Sequence, residues 1–319
     1  MLSQLTRSAK AVGIDTRALY QKISAASLRA ALNEQDLMAL CDDLRQILPN
    51  VSDQYTDGFR EDEFQRYWEL KLRGLHAFQM QCILEALDVV GGNGLTLADI
   101  GDSSGNHAAY IQALAKPGQV NRVISVNLDP VAVDKIRTKG GDAILCRAEE
   151  MDIEKIYPDL FLSFEMVEHL TDPARFFYGL AKKGSAEYML ITVPYRARSR
   201  FGGHHLRLPK SALTKMTPEE VHIYEFSMND WILLARFAGW QTLSTRTYWQ
   251  YPRIHPLRIT QPLWQRLDFE GFIGMLMKRD LTVAEHYTGW ELRLCPFYFI
   301  DPIVFQRQKH STIGVPSAM

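Results

Sequence analysis

The run Gly91-Gly92-Asn93-Gly94 divides two rhythms of apolar residues, and that division limits the fold more than any other feature of the chain. Before it, from about Thr16 to Val90, apolar residues recur at spacings of three and four, as in Leu28, Leu32, Leu37, Leu40, Leu44 and Ile47, which is the stripe of amphipathic helices. Pro49 to Gly58 reads as a connecting loop, and a further helix with Phe64, Trp68, Leu72, Leu75, Phe78, Cys82 and Leu87 stops at the glycines. After them, short apolar strands alternate with helical stretches, the pattern of a mostly parallel sheet covered on both faces. The spacing predicts strands at Leu95–Ile100, Val123–Leu128, Ala143–Cys146, Leu160–Phe164 and Tyr188–Val193. Helices are expected at about Asn106–Ala115, Pro130–Lys139, Asp172–Lys182 and Asn229–Ala238. Trp240–Tyr248 and Phe297–Phe305 then form a closing antiparallel pair. Long connections fall at 195–218 and 251–296, with an amphipathic helix over Leu263–Met277 in the second as an insertion between the last two strands. The expected organisation is a helical region at 1–92, a seven-stranded α/β domain at 93–310 and a tail at 311–319.

Composition removes several classes of function. The 319 residues are 46% apolar and 23% charged, the balance of an ordinary globular chain. A formal net charge of -1 provides no overall attraction for nucleic acid, so no nucleic-acid partner is expected. No apolar run reaches the length of about 18 residues that a membrane span needs. Cys41, Cys82, Cys146 and Cys295 form no CxxC pair, which argues against a zinc knuckle and a disulfide framework and fits a reducing cytoplasm. The basic opening, with Arg7, Lys10, Arg17, Lys22 and Arg29 against Asp15, is read as an amphipathic surface helix rather than a transit peptide.

Chemistry enters with Leu97-Ala98-Asp99-Ile100-Gly101-Asp102-Ser103-Ser104-Gly105-Asn106, a strand that breaks into small residues and restarts as a helix. Small residues let backbone approach a ligand, and the helix start offers unpaired N–H groups, so the segment suits a nucleotide-like cofactor. About thirty residues on, Val126-Asn127-Leu128-Asp129-Pro130 ends the second strand with polar side chains placed to meet ribose hydroxyls. Cys146-Arg147-Ala148-Glu149-Glu150 occupies the corresponding place beside an adenine. On Ala98-Asp99-Ile100-Gly101 through Gly105, on Asn127, and above all on the segment from Tyr157 through Phe164-Glu165-Met166-Val167-Glu168-His169 to Pro173, the chain resembles the class I S-adenosylmethionine-dependent methyltransferases. It is most similar to their ubiquinone-pathway and sugar O-methyltransferase branches, over about Leu95 to Leu243. The resemblance implies a Rossmann-like fold and S-adenosylmethionine as cofactor. It places that cofactor on Asp99, Gly101, Asp102, Ser103, Gly105, Asn127, Leu128, Asp129, Ala148, Glu149, Phe164 and Glu165. The chain departs from the family pattern at Ser103, where a glycine is usual, and at Asn127 and Arg147, where acids are usual.

The same resemblance implies in-line methyl transfer, for which alignment and exclusion of water do most of the work. If the acceptor is a hydroxyl, His169 is the first candidate for its base, with Glu168 beside it and His222 as the second candidate. The alternative is that Glu168 and His169 only cap and pack the following helix. His204, His205 and Arg200 lie in a glycine-containing loop that reads as a substrate lid, and the same loop carries Arg196, Arg198, Arg200, Arg207 and Lys210 with no acid among them. An anionic small-molecule or sugar acceptor would suit them, as would plain solvation. No metal is expected, since the His204-His205 pair lacks ligand spacing. A homodimer is left open. Two rival functions remain: a nicotinamide-dinucleotide oxidoreductase, weakened by the absence of GxGxxG, and a binding protein that has kept the fold without turnover.

Overall fold

A computed structural model describes residues 16–51, 66–203, 205–213, 216–218, 221–261 and 271–291. Its sheet contains β1 (Leu95–Ile100), β2 (Val120–Asn127), β3 (Asp142–Leu145), β4 (Leu160–Phe164), β5 (Tyr188–Tyr195), β8 (Trp240–Tyr248) and β9 (Gly271–Arg279), in the order β3-β2-β1-β4-β5-β9-β8. The first five run parallel; β9 pairs antiparallel with both β5 and β8. Consecutive residues of β4 and β5 are buried, so both faces of the sheet centre are covered, whereas β3 and β8 are edges with exposed positions. This is the seven-stranded Rossmann-like arrangement expected from the rhythm after Gly94.

Helices α4 (Asn106–Leu114), α5 (Pro130–Thr138), α6 (Pro173–Lys183) and α7 (Met228–Phe237) begin and end within a residue of their expected limits. Three have explicit start signals. Asp129, Asp172 and Ser227 accept hydrogen bonds from Val131 N, Arg175 N and Asp230 N, and proline opens α5 and α6. Each such cap is worth about 1 kcal/mol.

The last strand is where expectation and structure part. The segment Leu263–Met277 was read as a helix, yet its described part, from Gly271, is β9, which lies between β5 and β8. Seven of its nine residues are buried, and a strand covered on both faces shows no alternation to distinguish it from a buried helix. Gly271 and Gly274 were the available signal. A Cβ on Gly274 would lie 2.7 Å from Cys82 Sγ, so glycine is what lets the helix carrying Cys82 lie on the sheet. The expected strand Phe297–Phe305 lies outside the described residues.

Ahead of the sheet come α1 (Thr16–Glu34), α2 (Met38–Ile47) and α3 (Arg66–Val90). Arg73 of α3 is fully buried and donates to the carbonyls of Leu44, Leu48 and Pro49, satisfying the end of α2. Glu34 accepts from the backbone N–H groups of Arg253, Ile254 and His255, and Gln35 bonds Trp249 N and O, fastening α1 to the connection after β8. From Glu285 the chain forms a separate unit, in which Thr288–Glu291 is a 3-10 turn. Among the described residues no helix is long and apolar enough to cross a membrane.

Candidate functional site

The sheet order places β1 between β2 and β4, so the connections leaving β1 and β4 diverge and open a crevice at their carboxyl ends. Gly101 leaves β1 at φ 99° and Gly105 precedes α4 at φ 77°, both in the left-handed region that side chains resist. Asp102, 4% exposed, is turned into the protein: Oδ1 accepts from Ser104 N (3.3 Å) and Gly105 N (3.0 Å), and Oδ2 from the Ser125 hydroxyl (2.7 Å). The acid therefore holds the turn from behind. No side chain caps α4, and the buried Ser104 Oγ and Asn106 Nδ2 have no hydrogen-bond partner. Met166 lies over Gly101, where an added Cβ would come within 2.8 Å of its Cγ.

Asn127 donates from Nδ2 to Asp102 O and accepts at Oδ1 from Asp129 N, both at 2.7 Å, so its amide braces the cradle at both ends. Asp129 caps α5 through Oδ1. Leu128 is exposed, Ala148 and Glu149 lie on a 3-10 turn, and Glu149 is drawn to Arg147 at 3.5 Å.

Beneath the cradle runs a buried chain of polar groups of which only Asp99 was singled out by the sequence. Asp99 Oδ2 meets His107 Nδ1 at 3.1 Å, His107 Nε2 meets Gln79 Oε1 at 3.0 Å, and Gln79 Nε2 donates to Thr192 Oγ1 at 3.2 Å. The chain joins β1, α4, α3 and β5. A histidine one residue into a helix carries no pattern of its own, and its partners are 8 and 28 residues away.

On the other side of the crevice, Phe164 ends β4, its ring 4.8 Å from that of His107. Glu165 follows at φ 51°, an uncommon conformation for a side-chain-bearing residue and one that marks a strained turn at the ligand edge. Glu168 is 0% exposed, and neither carboxylate oxygen has a hydrogen-bond partner. Burial, then the charges of Glu165 and Glu225, push its carboxyl well above the usual range, so it is held in the neutral acid form. His169 meets Val221 O through Nδ1 at 3.0 Å; a carbonyl only accepts, so Nδ1 carries the proton. Burial, reinforced by His222, lowers this imidazole to about 4 against the opposing carbonyls of Val221 and Pro218, and Nε2 lies 3.8 Å from Glu168 Oε1. The capping alternative fails at one point: Asp172, not Glu168 or His169, caps α6.

His222 lies against His169, ring centroids 4.7 Å apart and nearly perpendicular. It is brought there by backbone: Ile223 N donates to Glu168 O, Gly203 N to His222 O and Gly202 N to Ile223 O, beside the two-stranded ribbon of β6 (Arg200–Phe201) and β7 (Tyr224–Glu225). Arg200 and Arg196 turn inward to the buried Glu225, and Arg207 donates to the carbonyls of Gly202 and Phe201, so three of the loop's cations are engaged by the protein itself. His204 and the side chain of His205 lie outside the described residues. Donor atoms of Glu168, His169 and His222 lie within 4.8 Å of one another, as do those of Asp99, Asp102 and His107, though both ring nitrogens of His107 and both oxygens of Asp102 are engaged by hydrogen bonds within the chain.

Residues 98–182, from β1 to α6, match the family model described as a methyltransferase domain. No curated protein matches the sequence. Solved structures with a similar chain path include an S-adenosylmethionine-dependent methyltransferase from Mesorhizobium loti (13% identity, 62% of this chain and 98% of that one, TM-score 0.43). Another is the 1,6-didemethyltoxoflavin-N1-methyltransferase of Burkholderia thailandensis with bound 1,6-didemethyltoxoflavin and S-adenosylhomocysteine (15%, 66% and 85%, TM-score 0.44). A third is the cyclase SpnF (14%, 80% and 96%, TM-score 0.48). Residues 98–182 are thus similar to a methyltransferase domain, and the strands around them have the seven-stranded Rossmann-like order.

Proposed function

We propose that the chain transfers a methyl group from S-adenosylmethionine to a hydroxyl of a small molecule or sugar, with His169 Nε2 receiving the hydroxyl proton. The cradle fits this cofactor. Its turn presents bare backbone at Gly101, Asp102 faces away from the crevice, and Ser104 Oγ and Asn106 Nδ2 are polar groups still in need of partners. Gly101, Ser103 and Gly105 would lie along it, with Asp99 below and Asp129 and Glu149 toward the nucleoside end. When bound it supplies an electrophilic methyl group.

The observation that carries the reading is the neutral His169 across the crevice from the cradle, its tautomer fixed by Val221 O. An imidazole titrating at about 4 is a weak base, below the near-neutral tuning that general-base catalysis favours. It suffices where the acceptor oxygen becomes strongly acidic as its new bond to carbon forms, so the proton moves late in the transfer. Glu168, as a neutral acid, puts no negative charge beside Nε2. An anionic acceptor would have to draw Arg196 or Arg200 away from Glu225. Titration calorimetry with S-adenosylmethionine, followed by assay of methyl transfer to a panel of hydroxyl and amine acceptors, tests the reading. Binding with turnover on hydroxyl acceptors alone is expected, and transfer only to amines would move the reaction to nitrogen.

A second reading is a binding protein without turnover. Met166 over Gly101 and the committed amide of Asn127 favour it. No cofactor binding at about millimolar concentration would select it.

A further inference from the structure

The buried Asp99–His107–Gln79 chain has a proton count that its geometry settles. Gln79 donates its amide to Thr192 Oγ1, the orientation that leaves Oε1 facing His107, and in that orientation ring Nε2 carries a proton. The other ring nitrogen faces a carboxylate oxygen, Asp99 Oδ2, and a hydrogen bond there needs a proton as well. Both ring positions are then protonated, or Asp99 is. The two states differ only by one proton moved within the pair. Asp102, whose oxygens take three donors, lies beside it and draws that proton toward both members, while the acceptors on either side of the ring, Asp99 Oδ2 and Gln79 Oε1, are the set that an imidazolium satisfies.

The remaining surroundings agree. His76, on α3, is the other titratable group against the ring, at 5.3 Å between centroids, and burial, with the charges of His107 and Arg73, keeps it neutral. Phe164 from β4 covers the ring edge without charge. Burial alone would discharge His107, but the hydrogen bond and charge of Asp99, with Asp102, hold it above the ordinary histidine value. Burial and Asp102 push Asp99 upward in turn, and the histidine opposes them. The second oxygen of Asp99, Oδ1, accepts nothing from the described residues.

We propose that His107 is a positioning residue for the cofactor: as an imidazolium between Asp99 and Gln79, it keeps the buried Asp99 ionised, so that Oδ1 remains an acceptor for the cationic or hydroxyl donors of S-adenosylmethionine. The inference rests on the cofactor reading above. It also assigns α3 a part in the site, since Gln79 Oε1 accepts from ring Nε2 and so holds the second ring proton. Without the imidazolium, Asp99 is a carboxyl buried beside Asp102 and takes up the proton itself, and its free oxygen weakens as an acceptor.

The experiment is titration calorimetry of S-adenosylmethionine with the full chain and with His107→Asn, from about pH 5.5 to about pH 7.5, below the ionisation of the cofactor's own α-amino group. The wild type should bind with affinity nearly constant over that range. His107→Asn should bind about tenfold or more weakly at the acid end and recover as pH rises and Asp99 ionises. A loss of the same size at every pH, or no loss, would overturn the proposal. Gln79→Leu, further from the carboxylate, should show the same slope with a smaller amplitude and serves if His107→Asn does not fold. Long-range nitrogen–proton NMR of the His107 ring in the ligand-free wild type separates this inference from the cofactor reading. Two protonated ring nitrogens at about pH 7 are expected, and a single one overturns the inference whether or not the cofactor binds. Absence of wild-type binding with a doubly protonated ring would remove the cofactor reading and the proposed role together, and leave only the ionisation.

Discussion

Asp102 and Glu168 are two carboxyl groups on opposite sides of one crevice, 4% and 0% exposed, and the protein treats them in opposite ways. Asp102 accepts three hydrogen bonds from Ser104, Gly105 and Ser125, and in doing so fixes the turn after β1. Glu168 accepts none, and lies among Glu165 and Glu225. One side of the site is built to hold a shape; the other holds a cluster of poorly solvated acid and imidazole groups whose cost the remainder of the fold must offset. Cofactor binding needs the first property, since exposed backbone is useful only if it does not relax. Proton transfer needs the second, because burial is what sets the charge states of Glu168 and His169.

The largest effect should come from the acceptor side. His169→Ala is expected to lower turnover by about 10²–10⁴-fold while cofactor affinity changes by less than about threefold; equal loss of both would break the division of labour. Because the imidazole titrates at about 4 and must be neutral to accept a proton, wild-type turnover should be level across the neutral range and fall only as pH descends toward that value. An acid limb near 6 or 7 would instead belong to a group other than a buried His169.

On the cradle side, Gly101→Ala places a side chain at φ 99° and against Met166, and should weaken cofactor binding by about 10–100-fold with turnover at saturation much less affected. Exchanging acid for amide on both sides sharpens the contrast. Asp102→Asn should cost about 1–3 kcal/mol in denaturant titration, because three donors lose a charged acceptor. Glu168→Gln should cost almost nothing below the ordinary carboxyl range, where the native group is uncharged in the folded and the unfolded chain alike. The sign of its pH dependence follows from the raised folded value: the wild type is favoured below the ordinary carboxyl range and loses stability as pH rises through the raised value. The Gln variant should therefore melt higher than wild type at alkaline pH; equal melting across the range would show Glu168 to be ionised throughout. The smallest expected effect is that of chelator. The proposed reaction uses no metal, so incubation with EDTA should leave turnover unchanged, and a loss restored by a divalent cation would reassign Glu168, His169 and His222 to holding an ion.

Legibility in the sequence follows the range of the interactions concerned. Helix starts at Asp129-Pro130 and Asp172-Pro173, the strand at Leu95–Ile100 and the glycine-flanked turn after it depend on residues within a few positions of one another, and they stand where the pattern puts them. The pairing of Glu168 and His169 with His222 was legible as two candidates but not as one cluster, since the β6–β7 ribbon that joins them is only two residues wide. His107, Gln79 and Glu225 carried no signal, because a buried polar residue is marked only by partners that the fold brings from elsewhere. The reversal at β9 has the same origin: a strand buried on both faces has no period, and its glycines make sense only once Cys82 lies against them.

What the amino-acid order alone determined is the alternation of strands and helices, the cradle after β1 and the chemical kinds of residue at the edge of the sheet, all consequences of local backbone preference and hydrophobic period. Tertiary structure alone decided which groups are charged and which neutral. A carboxyl or an imidazole takes its ionisation from burial and from neighbours far off in the chain, so Glu168, His107 and His169 acquire their states only when the sheet and α3 have closed around them.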